Sequence, residues 1–308
     1  MTTMNKSMFR FIHATDLHYE IGFNRHVPKA NLRIACLIED IKRIHAKEPL
    51  MFVLFTGDLT EKGSACKKEL SGAKDILDTL PVPYYVIAGN HDLAPNRTIA
   101  AAYPGKEDYH EGPVSTSNYS EIFGMERTRF SFRAADYLFA GVSLRDHDPD
   151  GMIDWLEKEI CGRTKVVLAA HYGLYPARDS GPLNKWGFAR IGSLIQRLRS
   201  IVKNENNGVL LYLYGHNHVN SVIENGGIYH VSSGGIQKGC TGYRVLSCYE
   251  DSIKAEYRLL SDAALHDFDY WGGDSPEMCV DSTHTGIKEY HIGNNSEQSF
   301  TVNLDSLK

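Results

Sequence analysis

Residues 9–20 read FRFIHATDLHYE. The apolar run at 9–15 has the make-up of a buried strand, and the polar residues just past it, Asp16 and His18, stand two apart. In extended chain, side chains at i and i+2 point the same way. A carboxylate and an imidazole therefore leave the strand end side by side. That pattern fits a cation site or an ordinary polar turn, and the rest of the chain has to decide.

Downstream, KANLRIACLIEDIKRIHA (29–46) places Ile34, Leu37, Ile38, Ile41 and Ile44 on one helical face. MFVLF (51–55) is a second buried strand, CKKELSGAKDILDTL (66–80) a helix stopped by Pro81 and Pro83, and YYVIA (84–88) a third strand. This order predicts a parallel sheet with right-handed crossovers. Beyond a loop-rich stretch come a hairpin at 129–144, a helix at 152–160, a buried strand at 165–170 and a helix at 187–202. Further strands lie at 209–214, 220–224, 227–232, 242–250 and 252–260, with ENGG at 224–227 as a hairpin signal. Two halves, each feeding its own sheet, predict an α/β fold with two mixed sheets face to face and helices outside. Residues 1–260 are expected to form one domain. Residues 261–308 lack periodicity and read as an irregular extension that packs on the domain or on a partner chain.

The chain of 308 residues carries a net charge of −5, without the clustered Lys and Arg of a nucleic-acid surface. No apolar run approaches a bilayer span, and the first eleven residues lack the apolar segment of a secretory signal. The six cysteines form no C-x-x-C pair and read as reduced, which predicts a cytoplasmic protein with no membrane or nucleic-acid partner.

The decisive pattern lies just past each predicted strand. After 9–15 come Asp16 and His18. After 51–55 comes TGDLTEKG with Asp58, and after 84–88 comes GNHD with Asn90, His91 and Asp92. His171 comes directly after 165–170, and GHNH with His216 and His218 after 209–214. Gly57, Gly89 and Gly215 each precede a polar residue and are expected to permit the sharp turn to the sheet edge. Any one cluster could be a solvated turn, but together they place carboxylate, amide and imidazole donors at the ligand-binding ends of strands. Mixed oxygen and nitrogen donors suit Mn, Fe, Zn, Co or Ni. Seven groups are too many for one tetrahedral ion and enough for a pair sharing a carboxylate.

In that order, D-x-H, G-D, G-N-H-D, a lone His and G-H-x-H resemble the calcineurin-like metallophosphoesterase superfamily, over roughly residues 9–250. The resemblance implies a four-layer αββα sandwich. It implies one metal on Asp16, His18 and His218, a second on Asn90, His171 and His216, and Asp58 bridging the two. His91 is then the catalytic histidine, oriented by Asp92. A hydroxide bridging the metals would attack the phosphorus of a small phosphate ester. GDLTEKG with GNHD is similar to the bacterial cyclic-nucleotide and glycerophosphodiester phosphodiesterases. Purple acid phosphatases carry a tyrosine ligand three residues after the aspartate, where this chain has Glu61. A phosphomonoesterase, a nuclease and a noncatalytic scaffold are the alternatives. Arg25, His26, Tyr172 and Arg178 come after the metal motifs and are the expected substrate contacts. A homo-oligomer is compatible with this reading.

Overall fold

A computed structural model of the chain describes residues 6–22, 29–93, 117–125, 128–146, 148–179, 192–237, 239–268 and 280–304. The first half contains β1 (Phe9–Ala14), α1 (Ala30–Lys47), β2 (Phe52–Phe55), α2 (Lys67–Leu77), β3 (Tyr84–Val86), α3 (Asn118–Phe123), β4 (Arg129–Ala134) and β5 (Tyr137–Val142). Next are α4 (Pro149–Ile160), β6 (Val166–Ala169), α5 (Gly192–Lys203), β7 (Val209–Tyr214), β8 (Asn220–Asn225), β9 (Ile228–Ser233), β10 (Gly242–Cys248) and β11 (Ser252–Leu259). The chain closes with α6 (Ile287–Ile292), α7 (Asn295–Gln298) and β12 (Ser299–Asn303). The strands form two six-stranded mixed sheets, ordered β12-β11-β10-β1-β2-β3 and β4-β5-β6-β7-β9-β8.

Strand periodicity assigns the layers. Phe9 and Phe11 of β1 and Phe52 and Leu54 of β2 join Val167, Ala169, Leu211 and Leu213 of the second sheet in one buried cluster. The alternate residues Ile12, Ala14, Val53 and Phe55 pack on α1 and α2. Leu168, Tyr212 and Tyr214 pack on α4 and α5. The result is the predicted four-layer sandwich. Phe52 pins its middle, with ring centroids 4.9 Å from Phe11 and 5.0 Å from both Phe132 and Phe139.

Two expectations change. The halves do not keep to their own sheets: β10 returns beside β1, pairing antiparallel from Phe9↔Cys248 to His13↔Arg244. This covers the edge of β1 that a purely parallel reading left open. The tail is not irregular throughout. Residues 280–304 carry two short helices and β12, which pairs with β11 from Ser252↔Asn303 to Glu256↔Ser299. An edge strand of five residues with Val302 alone deeply buried offers too little alternation to read from sequence. Residues 187–191 of the predicted helix lie outside the described residues.

The tail is fastened through charge. Arg178 is buried and donates to Glu297 Oε1 (3.0 Å) and to the carbonyls of Tyr290 (2.7 Å) and Asn220 (2.9 Å). Glu297 Oε2 meets His284 Nε2 at 2.5 Å, and His284 Nδ1 meets Asp281 at 2.7 Å. Among the described residues no helix is long and apolar enough to cross a membrane.

Burial is the largest influence on His284 and lowers its pKa, as does the charge of Arg178. The bonds to Glu297 and Asp281 outweigh both, and the pKa lies above 6.5. A pKa raised on folding stabilises the protein fully below the unfolded value and ceases to do so as pH rises through the folded one. The expected outcome is that His284→Ala lowers the urea midpoint most below about pH 6.5, the unfolded value, and that the gap to wild type narrows as pH rises above it. A gap that widened with pH would show that the imidazole is not held as a cation.

Candidate metal centre

β1, β2, β3, β6 and β7 all point their carboxyl ends to one rim that spans both sheets. The chain turns sharply there. Asp16 (φ 53°), His18 (48°), Asp58 (49°), His216 (69°) and His218 (50°) all adopt left-handed backbone. Asp and His tolerate this region better than most residues, yet each instance costs about 1–3 kcal/mol and persists only where the surroundings enforce it. Asp16 and His18 thus converge through left-handed turns, not through the extended chain expected from their spacing.

The donors meet. His18 Nε2 lies 3.2 Å from His218 Nε2, 3.9 Å from Asp16 Oδ1 and 3.7 Å from Asp58 Oδ2. His218 Nε2 lies 3.2 Å from Asp16 Oδ1. On the other side of Asp58, His171 Nε2 is 3.2 Å from Asp58 Oδ2 and 3.2 Å from Asn90 Oδ1. The His216 ring is centred 5.0 Å from that of His171. Among the described residues three candidate metal-binding groups result: Asp16–His18–His218, Asp58–His171–His216 with Asn90 beside it, and His18–Glu61–His91, which shares His18 with the first.

Outer partners fix which nitrogens face in. His18 Nδ1 donates to the Glu61 carboxylate (2.7 Å) and His171 Nδ1 to the Thr56 carbonyl (2.8 Å). Both partners accept only, so each Nδ1 keeps its hydrogen and Nε2 faces the donors. Burial favours a neutral Glu61, but the bond to His18 prevails and its pKa is lowered. Burial likewise raises Asp16 and Asp58, and His218 and His171 respectively reverse it, leaving both carboxyls below their usual range. Burial lowers His18 and His171, and Glu61 and Asp58 respectively overcome it, bringing each to about 9. His216 is pushed down to about 3 by burial and by the charge of His171. Two ionised carboxylates, an amide oxygen and inward-facing imidazoles form a donor set that fits a hard or borderline cation.

Residues 9–220 match the family model for calcineurin-like phosphoesterases. The chain belongs to that family. It is similar to a probable glycerophosphodiester phosphodiesterase GpdQ of Arcobacter nitrofigilis, 30% identical over 39% of this chain and 41% of the relative. It also resembles human tartrate-resistant acid phosphatase type 5, at 26% over 50% of this chain and 49% of the relative. The chain therefore spans about half the length of the curated relatives it matches, or less. A dimetal phosphatase from Danio rerio superposes with a TM-score of 0.57 at 14% identity, covering 83% of this chain and 98% of that one, which shows a shared fold.

Several expected roles shift in this member of the family. Asp92 does not hold His91: its carboxylate accepts from the amides of Leu59, Thr60 and Gly89 and from the Thr60 hydroxyl, bracing the loop after β2. His91 is held instead by Glu61, whose carbonyl lies 2.5 Å from Nδ1, and its own amide donates to Asp58 Oδ1 (2.9 Å). Arg178 is not a substrate contact, because its guanidinium is buried in the tail network. Tyr172 is buried at the rim, its hydroxyl between Arg145 Nε (2.7 Å) and Asn90 Oδ1 (3.5 Å). Arg25 and His26 lie outside the described residues. Glu61 and Arg145 escaped sequence reading. Arg145 trails β5 as the other site residues trail their strands, and that position was the available signal.

The glycine before Asn90 is required for space. A Cβ at Gly89 would overlap the Asp58 carboxylate and amide. Gly89→Ala is expected to displace Asp58 and cut metal content from two ions towards one or none, by elemental analysis of protein purified with Mn²⁺. Full occupancy in the variant would remove Asp58 from the centre.

Proposed function

We propose that the protein is a metal-dependent hydrolase of a small phosphodiester of the cyclic-nucleotide kind, working in the cytoplasm. The observation that carries this reading is the position of Asp58 between the two donor clusters, 3.7 Å from His18 Nε2 on one side and 3.2 Å from His171 Nε2 on the other. Asp16, His18 and His218 would hold one ion, Asn90, His171 and His216 the other, and Asp58 would serve both. Mn, Fe or Zn would suit these ligands. When bound, such a pair neutralises phosphoryl charge and makes water nucleophilic near neutral pH.

The chain's own groups supply the rest. The Glu61 carbonyl keeps a hydrogen on His91 Nδ1, so Nε2 is the ring edge that exchanges a proton with the departing ester oxygen. Glu61 holds His18 with its side chain and His91 with its backbone, so one residue fixes a ligand and the proton donor together. The diester preference is supported by the GpdQ match and by Glu61 bonding to His18 where purple acid phosphatases carry a tyrosine ligand. A monoesterase is the second reading, favoured by the match to the human acid phosphatase.

With Mn²⁺, the protein is expected to cleave bis(p-nitrophenyl) phosphate in preference to p-nitrophenyl phosphate. His91→Ala should keep its metals and lose about 10²–10⁴-fold in kcat. Asp58→Ala should lose metal and activity together. Two ions retained by Asp58→Ala, or wild-type kcat in His91→Ala, would refute the respective assignment.

A further inference from the structure

Arg145 stands at the carboxyl end of β5, on the strand next to the one that delivers His171. It is half-buried. Its Nε donates to the Tyr172 hydroxyl at 2.7 Å, and its guanidinium carbon lies 5.6 Å from the centre of that ring. The Tyr172 ring in turn lies 4.6 Å from that of His216, and its hydroxyl reaches towards Asn90 Oδ1 at 3.5 Å. Tyrosine thus grips the guanidinium by one nitrogen only. Among the described residues no carboxylate pairs with Arg145, and the structure gives its two terminal amino groups no partner. This contrasts with Arg178, whose guanidinium is used up by four acceptors. A half-buried arginine fixed through Nε, with both Nη groups open at the rim of a phosphoesterase centre, is a fork built for an anion.

We propose that Arg145 binds the phosphoryl oxygens of the substrate on the Asn90–His171–His216 side and sets how the site discriminates between a doubly charged phosphomonoester and a singly charged diester. This rests on the phosphoesterase reading above. Coulomb attraction to the guanidinium scales with the charge of the phosphoryl group, so the contact favours the monoester dianion over the diester monoanion. Arg145 therefore supplies monoester activity to a centre whose other features point to diesters. Tyr172 is a positioning residue, because it acts through Arg145.

The test uses the full chain loaded with Mn²⁺, as wild type, Arg145→Ala, Arg145→Lys and Tyr172→Phe. Three quantities are measured: metal content, affinity for inorganic phosphate by calorimetry, and kcat/KM on p-nitrophenyl phosphate and on bis(p-nitrophenyl) phosphate. Arg145→Ala is expected to keep both metals and weaken phosphate binding by ~10- to 100-fold, the worth of a charge-assisted contact. It should lower kcat/KM several-fold more for the monoester than for the diester, with Arg145→Lys recovering part of the loss. Tyr172→Phe should give a weaker version of the same pattern. Unchanged phosphate affinity and an unchanged monoester-to-diester ratio would overturn the proposal. So would equal losses on both esters accompanied by loss of metal, which would reduce Arg145 to a prop for Asn90. Wild-type protein that binds phosphate but cleaves neither ester would sink the hydrolase reading, while the phosphate arm would still decide for or against Arg145.

Discussion

Two carboxylates sit where water scarcely reaches them: Asp16 is 0% exposed and Asp58 2%. Burying an unpaired charge costs several kcal/mol, so the fold has to deliver compensating groups to that spot or fail to close. It delivers them from both sheets. Asp16 accepts from the His216 amide at 2.9 Å and the Thr15 hydroxyl at 2.8 Å, and Asp58 accepts from the His91 amide at 2.9 Å. The imidazoles of His218 and His171 complete the surroundings. Donors on β7 and β6 can serve carboxylates on β1 and β2 only if the sheets are fixed in relative position. The phenylalanine layer between them does this, so packing and electrostatics are here a single constraint.

That coupling governs what could be read from the sequence. The metal-ligand candidates were legible because each lies a few residues beyond a short apolar run, and strand topology carries such residues to one rim. The neighbourhood of Asp16 and His18 was foreseen on a mistaken backbone, since extended chain gives way to two left-handed residues with the same outcome. Glu61 was illegible as a site residue because its partner is 43 positions upstream and no local pattern joins them. Asp92 was misread because adjacency to His91 implied contact, whereas its carboxylate turns back to amides 32 and 33 residues earlier.

Arg145 and Arg178 make the same point by opposite fates. Both come after a predicted strand within a polar loop, and sequence pattern favoured Arg178 because it trails His171. Tertiary structure decides otherwise. Arg178 meets Glu297, which comes from more than a hundred residues away on α7, and so becomes the bolt that holds the tail across β8. Among the described residues the Arg145 guanidinium meets the hydroxyl and face of Tyr172, neither of which neutralises it. A guanidinium paired with a carboxylate is structural, and one held by a phenol keeps its charge available to a ligand.

The strained turns are held from both sides, which bears on how the centre works. Beyond the last residue of β1 the chain still pairs with its neighbours: the amides of Asp16 and His18 donate to the carbonyls of Gly57 and Asp58 at 3.0 Å. On the opposite side Ile236 and Gln237 donate to the carbonyls of Thr15 and Asp16. The segment bearing Asp16 and His18 is thus locked between the loops after β2 and β9, and main-chain bonds on both sides hold its left-handed residues. Among the described residues the donors of the candidate centre therefore sit on backbone whose geometry is set by the sandwich, the positional precision that a catalytic metal centre would demand.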